Sequence, residues 1–386
     1  MNIVEAVERI RDYREKNGKV DRVIAVWMAN PLVGTAVRKS VIYAAERSLA
    51  REQESAPGTY ESVFFVAGEM RSGTSWLRRT LSAHPQIACS HEGSFFGLDY
   101  DHEDIPVYKG PVSSLTRPFT LATRDFRTWH DMPWNQWSGD FDEDMRNIVR
   151  RSIDYFLEKE VARTGKAIVG DKSPQHTENL DEIHAYYPDA RIIHIVRDGR
   201  DVAVSAMNHW WRLAQDQPEA AFELDAEELE NRDAYRADRE GYLAAGRSIF
   251  TEERLAQLAR RWSLRTQKAR RDGTELYGER YLEIRYEDFL SDGGNTLARL
   301  LDFLGARSNE QVVGRCLRAS SFETASNRSQ GEEDPSSFFR KGVAGDWKSV
   351  FTSRDRELYE SVAGEQLTAS GYEVDGEVSE KVGDGA

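Results

Sequence analysis

One run of small and polar residues, Gly68-Glu-Met-Arg71-Ser72-Gly73-Thr74-Ser75-Trp76, has the make-up of an anion cradle. It follows a short apolar stretch, Ser62-Val-Phe-Phe-Val-Ala-Gly68, and opens a helical one, Trp76 to Ala83. In that placement successive backbone N–H groups and the positive end of the helix point at a ligand. Gly73 lets the chain turn tightly and approach an anion, Thr74 and Ser75 add hydroxyl donors, and Arg71 adds charge. A second cation, Arg197, ends the apolar run Arg191-Ile-Ile-His-Ile-Val196, with Ser205 eight residues on inside the next helical stretch. A third group, Arg340-Lys341-Gly342, lies toward the C-terminus.

The first loop departs from the Walker A pattern at one place. That pattern needs Lys after its second glycine, to reach the β- and γ-phosphates. Here Thr74 stands there, and the cation lies two residues before Gly73. The chain also lacks an apolar strand ending in the carboxylate pair expected to help hold Mg²⁺. ATP hydrolysis is therefore disfavoured, and for this loop alone a Gly-containing turn with incidental hydroxyls stays open.

Elements that could hold these residues repeat one grammar. Strand-like runs lead into turns and then helices at Ala167-Ile-Val-Gly170 before Asp171-Lys172-Ser-Pro174, at Arg191–Val196, and at Tyr281–Arg285 before Tyr286-Glu-Asp. A helix over 296–304 ends at Gly305. Such units predict an α/β fold, a parallel sheet flanked by helices, with ligand chemistry at the carboxyl ends of the strands. Ile3, Val4, Val7 and Ile10 at helical spacing, and the Pro57-Gly58 break, predict an N-terminal helical extension over 1–60. One domain over 61–372 follows, with a charged insertion or lid at 212–256 and a disordered tail at 373–386. Between Asp216 and Glu240 there are ten acidic and three basic residues, the mark of a solvated face or an exposed lid.

Composition sets the outer limits. With 386 residues, 39% of them hydrophobic, the chain can bury a sizeable core. A formal charge of −14 argues against a general nucleic-acid binder, whose affinity comes from phosphate contacts. Cys89 and Cys316, far apart, offer neither a disulfide framework nor a structural zinc site, and suit a reducing compartment. The charged N-terminus is no signal peptide, and the apolar stretch 23–37 is too short to span a bilayer. A soluble, cytoplasmic protein is expected.

Two more segments change the reading: Ala319-Ser320-Ser321-Phe322-Glu and Phe339-Arg340-Lys341-Gly342-Val-Ala-Gly345-Asp-Trp347-Lys-Ser-Val-Phe351-Thr352. With Arg71-Ser-Gly-Thr-Ser-Trp76 and Arg197…Ser205, they resemble the cofactor motifs of the PAPS-dependent sulfotransferases, over residues 62–352. The resemblance implies a P-loop-like sulfotransferase fold, with 3′-phosphoadenosine 5′-phosphosulfate (PAPS) as co-substrate, PAP as product and no metal. It implies that Arg71, Ser72, Gly73, Thr74 and Ser75 cradle the 5′-phosphosulfate. Arg197, Ser205, Arg340, Lys341 and Gly342 would take the 3′-phosphate, Trp76 and Phe322 the adenine, and Ser321 would also contact the cofactor. Trp76 and Phe322 also read as ordinary core aromatics. Arg71, where cytosolic members usually have Lys, would stabilise charge on the leaving phosphate.

The acceptor base departs from the cytosolic pattern. Gly170-Asp-Lys172-Ser-Pro174 lacks the catalytic His of those enzymes and resembles the E-K-[ST]-P of heparan sulfate sulfotransferases. Ser90-His91-Glu92-Gly-Ser-Phe95-Phe96 is similar to their base loop. Glu92 is thus expected as general base, with Lys172 a cation at the transferred group. His176, His91 and His130 are rivals, and a solvated loop carboxylate is the bland alternative for Glu92. Trp129, Trp134, Trp137, Trp210 and Trp211 line an aromatic acceptor site or pack a core. The acidic stretch disfavours polyanionic acceptors and leaves a small molecule, glycolipid or natural product, with neither nucleic acid nor stable membrane insertion. A homodimer is left open: Lys348, Thr352 and Glu357 fit the cytosolic dimer pattern, but Ser353 replaces its Val. The competing functions are a small-molecule kinase and a nucleotide-sensing scaffold without chemistry.

Overall fold

The computed structural model describes residues 59–97, 114–133, 139–216, 224–321, 324 and 342–374, all within the compact unit Thr59–Ala386. The expected extension up to residue 58, Trp134, Trp137, Phe322, Arg340, Lys341 and the tail from 375 lie outside the described residues.

Five strands form one wholly parallel sheet in the order β2-β3-β1-β4-β5: β1 (Ser62–Ala67), β2 (Ile87–His91), β3 (Ile168–Lys172), β4 (Arg191–Val196) and β5 (Tyr281–Arg285). Parallel neighbours need crossovers, which helices provide. Helix α1 (Thr74–Ser82) joins β1 to β2, and α2 (Arg117–His130) and α3 (Phe141–Thr164) lie between β2 and β3. Helix α4 (Leu180–Tyr186) precedes β4. Before β5 come α5 (Gly199–Asp216), α6 (Ala226–Ala237), α7 (Arg239–Ala244) and α8 (Glu252–Asp272). The chain continues through α9 (Tyr286–Ser291), α10 (Gly293–Leu304), α11 (Glu310–Ala319) and α12 (Ser353–Ala369).

Alternation explains the continuous apolar run of β1. Phe64 and Val66 pack on one face against α1, α10 and α11, while Val63, Phe65 and Ala67 pack on the other against α3 and α4. Both faces are covered, so no polar alternation survives. A third cluster gathers Trp210, Trp211, Trp262, Trp347 and Tyr359 between α5, α8 and α12.

The structure differs from the sequence reading at two strands. β2 was not anticipated; its small residues Ala88, Cys89 and Ser90 on a sheet edge give a weak apolar signal. β3 runs through Asp171 and Lys172, read from sequence as a turn, and both are buried. The 224–250 segment also packs inward. Glu228 is buried and takes hydrogen bonds from Arg254 Nε (2.5 Å) and Nη2 (3.0 Å), and Tyr235 packs on Trp211.

The loop leaving β1 is anchored from below. Gly68 N–H donates to Thr177 Oγ1 (2.8 Å), and the buried Glu69 carboxylate accepts from Arg261 Nη2 (2.7 Å) and Arg265 Nη1 (3.2 Å) of α8. Burial alone would raise the Glu69 pKa, but the two guanidiniums hold it below the ordinary 4.5. Glu69→Gln removes the charge that answers buried Arg261 and, beside Glu178, buried Arg265, and should cost about 3 kcal/mol, read as a lower denaturant midpoint at pH 7. Because the folded carboxyl is the stronger acid, the gap between wild type and variant should shrink as pH falls below about 4.5.

Candidate active site

All five strands end along one edge of the sheet, and the residues singled out by their chemistry lie there: Arg71 after β1, Glu92 after β2, Lys172 as the last residue of β3 and Arg197 after β4, with Tyr286 following β5. Gly73 closes the phosphate-type loop in a left-handed conformation (φ 92°), where a Cβ would lie 2.6 Å from the Tyr286 ring. Only glycine fits that turn. α1 starts at the next residue, Thr74, so the loop N–H groups and the helix N-terminus face the same edge. Ser72 Oγ is buried there without a hydrogen-bond partner.

The separate motifs converge on this loop. Arg197 Nη1 donates to the Arg71 carbonyl (3.2 Å) and Nη2 to the Val343 carbonyl (3.0 Å), bracing the first loop against the segment that begins at Gly342. Arg71 Nε donates to Ser205 Oγ (3.1 Å). Asp201 accepts the N–H groups of Gly345 (2.7 Å) and Trp347 (3.0 Å) and lies 3.5 Å from Arg197 Nη2. Trp76 Nε1 donates to the Ser320 carbonyl (2.9 Å), beside Ser321, whose Oγ is 3.1 Å from Thr324 Oγ1. A cavity of about 730 Å³ opens behind the 344–353 segment, with Arg200, Arg285 and Trp347 in its wall, and its described lining includes none of Arg71, Glu92 or Lys172.

Lys172 joins the second half of the site to the first. Its ammonium, fully buried, donates to Glu92 Oε1 (2.5 Å) and reaches Ser75 Oγ on α1 (3.4 Å). Glu92 keeps 45% of its side chain exposed, so one end of this pair meets solvent. Among the described residues, the non-glycine positions with left-handed backbone are Arg71 (φ 71°), Glu92 (φ 52°) and Ser94 (φ 47°). All three lie in the two loops at this edge. Such backbone costs free energy and gathers where side chains must be aimed.

Of the three histidine rivals, His91 adjoins Glu92, and the other two are held by different partners. His176 is buried beneath the sheet edge, its Nδ1 3.2 Å from the Val66 carbonyl and its ring flanked by Phe65 and Phe96; burial lowers its pKa. His130 lies at the end of α2 between the Asp131 and Asp144 carboxylates, whose hydrogen bonds raise its pKa. His91 stands 4.0 Å from Glu92, its pKa lowered by burial and by Lys172. Trp210 and Trp211 lie in the core, whereas Trp129 is half exposed.

Two residues at the edge had no role in the sequence reading. Tyr286 packs against Trp76 (centroids 5.6 Å apart) and lies under the Arg197 guanidinium (4.6 Å). His209 follows Ser205 by one helical turn, and its Nδ1 accepts from Arg212 Nη2 (3.1 Å). Helical spacing of 205, 209 and 212 on α5 was the available signal.

Comparison with known proteins identifies the family. The model described as "Sulfotransferase family" matches residues 64–255 and 231–310. Rat sulfotransferase 2A2 is 26% identical over 187 residues, 46% of this chain and 56% of that protein. Mouse sulfotransferase 2B1 is 34% identical over 104 residues, 23% of this chain and 29% of the relative. The chain thus spans about half or less of the length of these curated relatives. The crystal structure of mouse sulfotransferase SULT7A1 complexed with PAP has 17% identity and a TM-score of 0.45, covering 81% of this chain and 86% of that one, a likeness too distant to carry an argument about chemistry.

Burial, with Arg71 and Arg212 nearby, pushes the His209 imidazole from 6.5 down to about 3. The unfolded chain takes up this proton near its ordinary pKa and the folded protein does not, so stability falls as pH drops below 6.5. The loss is about 1.4 kcal/mol per pH unit, hence about 2 kcal/mol by pH 5. Denaturant midpoints at pH 7.5 and 5 should separate less in His209→Gln than in wild type; equal separation would reject the assignment.

Proposed function

The chain belongs to the sulfotransferase family, and we propose that it moves a sulfuryl group from PAPS to a hydroxyl or amine of a small-molecule, glycolipid or natural-product acceptor, without a metal. The observation that carries this reading is the buried Lys172 ammonium, held between Ser75 of the phosphate-type loop and Glu92. It joins an anion cradle to a carboxylate base in one site.

The loop fits the 5′-phosphosulfate: Ser72 Oγ is a buried donor left over for a ligand oxygen, and Gly73 leaves room for close backbone approach. In this reading Ser72, Gly73, Thr74 and Ser75 hold that group. Arg197 and Ser205, with Arg340, Lys341 and Gly342, hold the 3′-phosphate, while Trp76 and Phe322 hold the adenine and Ser321 adds a cofactor contact. ATP lacks the 3′-phosphate and would forgo the charge-assisted contacts that Arg197, Arg340 and Lys341 make to it in this reading, which disfavours a kinase. When bound, PAPS supplies the sulfuryl group and departs as PAP.

The chain's own groups then have distinct tasks. Glu92 takes the proton of the acceptor hydroxyl on the solvent side of its pair, where an acceptor can enter. Lys172 and Arg71 place positive charge where negative charge develops, and a guanidinium, always protonated, does so without giving up a proton. A sulfuryl group carries less charge than a phosphoryl group, so two side-chain cations suffice. Both thiols, buried and free, suit a reducing cytoplasmic setting.

Incubating the full chain with ³⁵S-labelled PAPS and a panel of phenols, sterols, sugars and amines should label at least one acceptor; release of no PAP with any acceptor would overturn the reading. Glu92→Gln should lower kcat by about 10²-fold or more while sparing PAP affinity. Arg197→Ala should weaken PAP binding in calorimetry by more than about 2 kcal/mol, roughly 30-fold, the scale of removing one partner of a buried charged contact.

A further inference from the structure

Glu92 is held by a carboxylate that itself faces no solvent. Asp171, fully buried one residue before the end of β3, accepts Ser90 Oγ–H (2.5 Å) and Gly93 N–H (2.9 Å) on Oδ1. Its Oδ2 accepts Ser173 Oγ–H (2.7 Å), and Ser173 Oγ in turn takes the Ser94 N–H (3.4 Å). His176 Nε2 stands 3.4 Å from the same Oδ2. The residues on both sides of Glu92 are therefore tied to one carboxylate. The loop presses closely on it: a Cβ at Gly93 would lie 2.9 Å from Asp171 Oδ1.

This is also where the backbone is strained. Glu92 and Ser94 both adopt left-handed φ without being glycine, and the β3 backbone accepts the Glu92 N–H through the Lys172 carbonyl (2.8 Å). Asp171 thus meets the turn from one side while Lys172, the next residue, meets the Glu92 carboxylate from the other. Three donors converge on a group that has only acceptor oxygens. An amide keeps the shape but not the charge: with its oxygen on Ser90 and Gly93, its NH₂ meets Ser173 Oγ, which must then turn from donor to acceptor, and turned the other way its NH₂ meets the Gly93 N–H.

We propose that Asp171 is the positioning residue of the Glu92–Lys172 pair, its buried carboxylate fixing the turn that holds Glu92 Oε1 on Lys172 Nζ. The inference rests on Glu92 being the acceptor base. Without the carboxylate, the Gly93 and Ser173 donors lose their acceptor, the turn relaxes and Glu92 moves off Lys172 toward solvent. Displacements of about 1 Å at a reacting centre can cost about 10²-fold.

The test is a double-mutant cycle on kcat, using the acceptor of highest turnover from the panel above, with PAP affinity measured in parallel. Asp171→Asn should lower kcat at least 10-fold in the wild-type background, leave PAP affinity within about twofold, and change the residual kcat of Glu92→Gln less than twofold. An equal loss in both backgrounds, or an unchanged kcat in wild type, overturns the inference while leaving Glu92 as base. A fully active Glu92→Gln overturns the base assignment itself, and this inference with it. If Asp171→Asn fails to bind PAP, the paired Ser90→Ala and Ser173→Ala changes, which strip two donors from the same carboxylate, are judged by the same cycle. A loss confined to the Glu92-containing background supports the proposal, and an additive or absent one rejects it.

Discussion

An ammonium removed from water at the end of an interior strand is the constraint around which this protein is arranged. Lys172 has no exposed surface and lies one strand from the centre of the sheet, so its charge must be answered within hydrogen-bond reach. Glu92 and Ser75 answer it, and they come from different loops. For both to arrive, β2 must pair in register with β3, placing His91 opposite Lys172, and α1 must begin directly after Gly73. The sheet order and the helix start are thus tied to one charge.

The same logic extends along the edge. A parallel sheet delivers all its carboxyl ends to one side, and the crossovers that close it begin there. Arg197 makes that geometry cohesive, since a single guanidinium spans the Arg71 and Val343 carbonyls while its own carbonyl accepts the Trp262 indole N–H (3.0 Å). Segments more than a hundred residues apart are thus fastened by contacts within the chain. Buried ion pairs do the fastening underneath, Glu69 with α8 and Glu228 with Arg254.

How much of this the sequence disclosed follows from which signals are local. The phosphate-type loop and Arg197 were legible because an apolar strand, a turn and a helix follow one another in a dozen residues. β2 was not, because an edge strand of small residues carries little hydrophobic contrast. Asp171 and Lys172 read as a turn because charged residues in a strand are uncommon; only the pairing with β2 explains why both are buried. Tyr286 and His209 escaped for a different reason. Tyr286 packs on Gly73 and Trp76, and His209 feels the Arg71 charge, all more than a hundred residues away, which no local window contains. In the acidic 216–240 stretch, Asp225, Glu227, Glu230, Asp233, Asp238 and Glu240 are exposed, as a solvated face requires, and what composition does not single out is the one buried Glu228 matched to Arg254.

The left-handed backbone at Arg71, Glu92 and Ser94 also bears on how such a protein can be improved by laboratory evolution. A glycine at any of the three would relieve strain, so a selection for heat tolerance alone will drift toward it. At Arg71 and Glu92 that drift deletes the cation and the carboxylate. Thermal fitness and turnover are therefore set in opposition at those two sites, and a robust variant is better sought in the helices around the sheet than in its loops.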